Sequence, residues 1–184
     1  MDCVVTTLNN LQEEMLSKMA ETFDRIFSSE NGSASEERLR LIRDSILKHS
    51  TRQGFRCAVA LDQECIVIGF AYGYFGAHGQ WWYERVKQVL GEERSMRWLE
   101  DYFELVELAV EEKFRRSGIA TRLYSELFAG LENCNALLST EMANIPALRL
   151  YTKLGWKTIA ENVRFSENGE EFVIMGKCLS ENFS

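Results

Sequence analysis

Histidine is almost missing from this sequence. His49 and His78 are the two present, far apart and without ligand company, which excludes a zinc site built on histidine pairs; no metal is expected. The five cysteines, Cys3, Cys57, Cys65, Cys134 and Cys178, are odd in number and form no CxxC pair. They read as reduced thiols in or near a core, and so as a cytoplasmic protein. The longest apolar run, "CIVIGFAYGYFGA", is too short to span a bilayer, and the opening "MDCVVTTLNN" lacks the basic start and apolar stretch of a secretory signal. No membrane partner is expected. Positive charge is also short: 21 Lys+Arg against 28 Asp+Glu leave a net −7, which argues against nucleic acid and towards a cationic small partner. Neither GxxxxGK[ST] nor GxGxxG occurs, so the familiar nucleotide loops are absent. There is no repeat, linker or low-complexity tract. The 184 residues, 46% hydrophobic and 27% charged, fit one domain over 1–184 that buries its core without disulfides.

Helical spacing of Leu8, Leu11, Met15, Met19, Phe23 and Ile26 predicts a first amphipathic helix, which "SSENGSAS" ends. Leu39, Ile42 and Ile46 mark a second. "FRCAVAL" and "ECIVIGFAYGYF" read as strands joined in a hairpin near Asp62-Gln63. A helical insert, 76–101, is interrupted at Gly91. "FELVELAV" is apolar on both faces, as a central strand is. Ile119, Leu123, Leu127 and Leu131 then repeat every fourth residue. "NALLST" is a strand. The next helix has marked ends: Asn144 as cap, Pro146 in the first turn, Gly155 at the stop. Two strands around Asn168-Gly169 close the chain. The order β-α-α-β-β-(insert)-β-α-β-α-β-β predicts an α/β (α+β) fold: a mixed, mostly antiparallel sheet of six to seven strands with helices on both faces.

One stretch runs against the acidic balance. "KFRRSGIATRL", 113–123, crowds Lys113, Arg115, Arg116 and Arg122 around Ser117, Gly118 and Ala120, just where a helix opens. A helix start leaves backbone N–H groups unpaired and partly positive. Small residues let an anion approach, and arginines add charge-assisted bonds. The stretch reads either as a cradle for a pyrophosphate or as a solvated basic turn.

"ELAVEEKFRRSGIATRLYSEL" resembles the acetyl-CoA-binding segment of the GCN5-related N-acetyltransferase (GNAT) superfamily. Arg115, Gly118 and Ala120 fit its [R/Q]-x-x-G-x-[G/A] positions. "NIPALRLYTKLGW" resembles the next block, with Asn144, Leu150, Tyr151, Gly155 and Trp156 in place. Glu112 stands where proline is common and Arg116 where many members have glycine. The resemblance implies the GNAT fold and an N-acetyltransferase that passes acetyl from acetyl-CoA to a primary amine of a small molecule or peptide by direct attack. It implies that Leu108, Ala109 and Val110 meet the pantetheine arm, that Arg115, Arg116, Ser117, Gly118, Ile119, Ala120 and Thr121 meet the pyrophosphate, and that Asn144 contacts the arm. It also allows a homodimer.

The chemistry needs a base, since an alkyl ammonium of pKa about 10 leaves only about one molecule in a thousand free at pH 7. Glu107 and Glu104 are the candidates; a strand bulge would bring both to one side. Where other members carry a glutamate on the following strand, this chain has Ser139. Tyr151 matches the family's acid for the departing thiolate. Trp81, Trp82 and Tyr83 in the insert form either an aromatic wall for the acceptor or a packing surface. Two rivals keep the same helix start: a non-catalytic CoA or acyl-CoA sensor, and a binder of nucleotides or sugar phosphates.

Overall fold

The computed structural model describes residues 3–8, 11–27, 35–167 and 169–179. The break expected within 28–34 and the turn residue Asn168 lie outside them. Among the described residues, seven strands and five helices follow in order: β1 (Val4–Leu8), α1 (Glu13–Phe27), α2 (Glu36–Ser50), β2 (Arg56–Leu61), β3 (Val67–Phe75), α3 (Trp81–Leu99), β4 (Tyr102–Val110), α4 (Ile119–Phe128), β5 (Asn135–Glu141), α5 (Ile145–Lys153), β6 (Lys157–Arg164) and β7 (Glu171–Cys178). A short 3₁₀ turn, Glu112–Phe114, joins β4 to α4. The strands form one open sheet in the order β1-β2-β3-β4-β5-β7-β6. The fold is mixed α/β, as expected, with β4 central. Three details differ. Leu8 belongs to β1 and Leu11 precedes α1, rather than both lying in the first helix, and Leu131 falls beyond α4, which ends at Phe128 before Gly130 turns the chain at φ 66°.

Two compact units divide the chain. Met1–Tyr74 with Val106–Gly130 form the first. Here β1, β2 and β3 pair antiparallel. Alternation along β2 sends Cys57 and Val59 into a cluster with Leu16 and Met19 of α1, Ile46 of α2 and Phe70 of β3. Ala58 and Ala60, also buried, take the other face, and α4 lies against β1 and β2. Burial of this stripe, at about 25 cal/mol per Å² of apolar surface, is what holds α1 and α2 to the sheet. Ser35 caps α2 through the Arg38 N–H at 3.2 Å, and Arg38 in turn reaches Asp24 of α1 at 2.5 Å.

Phe75–Leu105 with Leu131–Ser184 form the second unit. β5 pairs antiparallel with β7, and β7 with β6; β4 and β5 pair parallel from Tyr102↔Asn135 to Glu104↔Leu137. α3 covers one face with Trp82, Val86, Leu90 and Leu99, packed on Tyr102, Leu137, Val163 and Ile174. The helix breaks at Gly91, as its sequence predicts, and Trp98 beyond the break lies so close to β7 that a Cβ on Gly176 would sit 2.7 Å from its ring.

Candidate active site

The stretch after β4 decides how an anion could be held. Arg115 is extended, Arg116 has φ 60° and Gly118 has φ 83°, with α4 starting at the next residue. A left-handed residue followed by a right-handed one turns successive N–H groups into one concavity. Gly118 is the N-cap and offers no side-chain oxygen, so α4 begins without a side-chain cap and without an acidic residue in its first turn. A Cβ at Gly118 would meet nothing within 4 Å: glycine is there for its φ, and the space above it is open. The residues present fit a pyrophosphate.

The four cations are not equivalent. Arg122 donates to the Cys3 carbonyl at 3.1 Å, and Arg115 Nε donates to the Val110 carbonyl at 3.1 Å. Lys113 lies 3.6 Å from Glu111. Arg116 has no ion pair among the described residues and is exposed. Ser117 turns its hydroxyl back onto the Phe114 carbonyl. Three of the basic side chains thus have partners within the fold, while Arg116 projects into solvent.

Upstream, Leu108, Ala109 and Val110 complete β4. Val106 and Ala109 both pack into the α1–α2 cluster, although residues three apart on a regular strand face opposite ways. The alternation is therefore interrupted between them, in the stretch that carries Glu107. Glu107 keeps a partial opening to solvent, yet burial pushes its carboxyl up to about 7, and the Leu108 N–H opposes that rise. Glu104 is 4% exposed. Its register partner Leu137 and its same-face neighbour Tyr102 both belong to the α3 cluster, so Glu104 is on the face that α3 covers.

In α5, Asn144 caps the helix by accepting from the Ala147 N–H at 3.2 Å. Tyr151 is buried, its ring 5.9 Å from that of Trp156. The three aromatics of the insert separate. Trp82 is buried with its ring 6.1 Å from Tyr102, and Tyr83 stacks on Tyr102 at 6.5 Å. Trp81 is 58% exposed and tilts onto Phe165, which follows β6. The Trp82 indole N–H donates to the Ser139 hydroxyl at 3.1 Å.

Residues 16–156 match the model of the acetyltransferase (GNAT) family. This chain belongs to that family. A GCN5-like protein acetyltransferase of Mycobacterium tuberculosis is 38% identical over 123 residues, which are 61% of this chain and 59% of that one. The GNAT chain thus spans about 59% of that relative's length. An N-alpha-acetyltransferase of Saccharolobus solfataricus is 28% identical over 137 residues, 72% of this chain and 75% of the relative. Among solved structures, a NatC complex bound to Gag peptide and CoA aligns with a TM-score of 0.66 at 19% identity, covering 97% of this chain and 99% of the other. That last likeness concerns the fold.

Two features of this GNAT chain escaped the sequence. Arg56 of β2 reaches the carbonyls just past the end of α4, donating to Ala129 at 2.5 Å and to Gly130 at 3.2 Å. Glu111, next to β4, accepts from Arg25 of α1 at 2.8 Å. Neither pairing has a local pattern, because the partners lie 73 or more residues apart. Ser139 had a weak signal: alternation puts it on the face of Leu137. Among the described residues, no helix is long and apolar enough to cross a membrane, and no group of three or more His, Cys, Asp or Glu is placed to hold a metal ion.

Proposed function

We propose that this chain transfers the acetyl group of acetyl-CoA to a primary amine, and that a protein or peptide carries that amine. The uncapped, open start of α4 at Gly118 carries the reading: it leaves backbone N–H groups for a pyrophosphate where the GNAT resemblance puts one. Residues 115–121 would hold the diphosphate, and Leu108, Ala109 and Val110, with Asn144, the pantetheine arm. The names of the two curated relatives, one a protein acetyltransferase and one an N-alpha-acetyltransferase, support a polypeptide amine over a free polyamine. In this reading 1–184 works as one domain, which the family match across both units supports.

Bound acetyl-CoA supplies an activated acyl group. The chain supplies proton handling. Glu107, with its carboxyl near 7, is about half in its basic form at neutral pH and suits removal of a proton from an ammonium. Glu104 is the second candidate base. Tyr151, whose phenol ordinarily holds its proton at neutral pH, would serve as acid. Trp81, exposed beside Phe165, is the member of the aromatic trio that remains free to meet an acceptor.

Thermal unfolding with acetyl-CoA, with CoA and with a pantetheine analogue lacking the pyrophosphate tests the first half. The expected result is a clear rise in Tm for the first two and none for the third. Free-thiol release on a panel of peptides and alkylamines tests the second. A Tm rise without transfer to any amine would instead fit a coenzyme sensor, and no rise at saturating acetyl-CoA would end the proposal.

A further inference from the structure

We infer that Ser139, fixed by Trp82, is a specificity residue that recognises an oxygen next to the reacting amine, so that the acceptor is an aminoacyl end rather than an alkylamine. This rests on the acetyl-transfer reading above.

The hydrogen bond has a direction. Trp82 Nε1 has only a proton to give, so the Ser139 oxygen accepts at 3.1 Å and its own hydrogen must be donated elsewhere. The indole cannot swing away, because Trp82 is packed with Val86, Leu90 and Leu99 of α3 and against Tyr102. Ser139 itself is held by its pairing with Ile174 on β7.

Position gives that hydroxyl its use. The β4–β5 ladder ends at Glu104↔Leu137. Ser139 is the next residue on the same face, one two-residue step of about 7 Å further along β5. A buried carboxylate on β4 and an oriented O–H donor on β5 therefore stand diagonally across the end of the ladder, on the face that α3 covers. A carboxylate attracts an ammonium, and a hydroxyl donor needs an oxygen. Two hydrogen bonds of about 2.8 Å each and the short N–Cα–C=O link of an aminoacyl group bridge such a step. A linear diamine offers no oxygen and leaves the hydroxyl unmatched, which is how a site built for a polar group rejects an analogue lacking it.

The test compares kcat/KM for a short peptide with a free α-amine and for a linear diamine of similar length, in wild type, Ser139→Ala, Ser139→Thr, Trp82→Phe and the double variant Trp82→Phe/Ser139→Ala. Wild type should favour the peptide. Ser139→Ala and Trp82→Phe should each lower the peptide-to-diamine ratio about ten-fold, through the KM of the peptide and not that of acetyl-CoA. Ser139→Thr should keep the ratio, and the double variant should be no worse than Ser139→Ala. A ratio unchanged by Ser139→Ala, an equal loss on both acceptors, or a wild type that favours the diamine overturns the inference while leaving acetyl transfer standing. Absence of transfer to every amine, with acetyl-CoA still raising Tm, overturns both.

Discussion

Two helices in this protein begin in opposite ways. α5 satisfies itself: the Asn144 carboxamide accepts from the Ala147 N–H, and Pro146 in the first turn has no N–H to leave unpaired. α4 does neither. Its N-cap, Gly118, has no side chain, and the space around it is open. The same contrast recurs in two glutamates four positions apart. Glu111 is matched by Arg25 at 2.8 Å and Lys113 at 3.6 Å. Glu107 has burial and, among the described residues, no ion pair, and its carboxyl rises to about 7. Polar groups that only hold the fold are satisfied within it, whereas groups left open are the ones with something else to bind.

Glu107→Gln should show the largest effect. If the carboxylate takes the proton, kcat/KM falls on the order of 100-fold, and the rate limb that rises through about pH 7 disappears. The contribution of Glu107 to stability should move the other way with pH. The folded carboxyl holds its proton up to about 7, while an unperturbed one releases it near 4.5, so this group costs stability as pH rises between those values. His49, whose imidazole burial pushes down to about 4, works in the opposite direction over part of that range, so the readout is the Tm of Glu107→Gln minus that of wild type, which should grow as pH rises. Melting curves from pH 4 to 8 read this directly.

Gly118→Ala comes next. At φ 83° a Cβ costs about 1–2 kcal/mol, and it also enters the open space. Calorimetric titration should show acetyl-CoA affinity reduced at least about ten-fold. Asn144→Ala should cost about 1 kcal/mol in the free protein from loss of the cap. If the carboxamide also meets the coenzyme, the fall in Tm is larger with acetyl-CoA than without it; equal falls would leave Asn144 a cap alone. Arg116→Gly should have the smallest effect, with opposite signs in its two readouts. Relief of φ 60° raises Tm slightly, while loss of a cation that has no ion pair among the described residues weakens acetyl-CoA binding a few-fold, less so at high salt.

Much of this was legible in the chain itself. The strand–turn–helix around 103–128 carried its own markers: an apolar run, then small and basic residues, then a four-residue repeat. The ends of α5 were equally plain, because caps, Pro146 and Gly155 act over a few residues. Leu8 and Leu131 went astray for one reason: an apolar residue in phase with a helix does not say where that helix stops, and a strand or a turn can hold it as well. The aromatic trio Trp81-Trp82-Tyr83 could not be divided from sequence. One ring is exposed and two are packed, and only the Tyr102 surface beneath them distinguishes the three.

Local chemistry along the chain determined which helix start was left open, because backbone φ preferences and missing side chains are properties of neighbouring residues. Long-range packing decided which side chains were already spoken for. Arg115, Arg122 and Lys113 looked equivalent to Arg116 until Val110, Cys3 and Glu111 were found beside the first three. Ser139 acquired a direction only when α3 brought an indole N–H to its oxygen, since a hydroxyl has no fixed orientation until a partner from elsewhere in the fold supplies one.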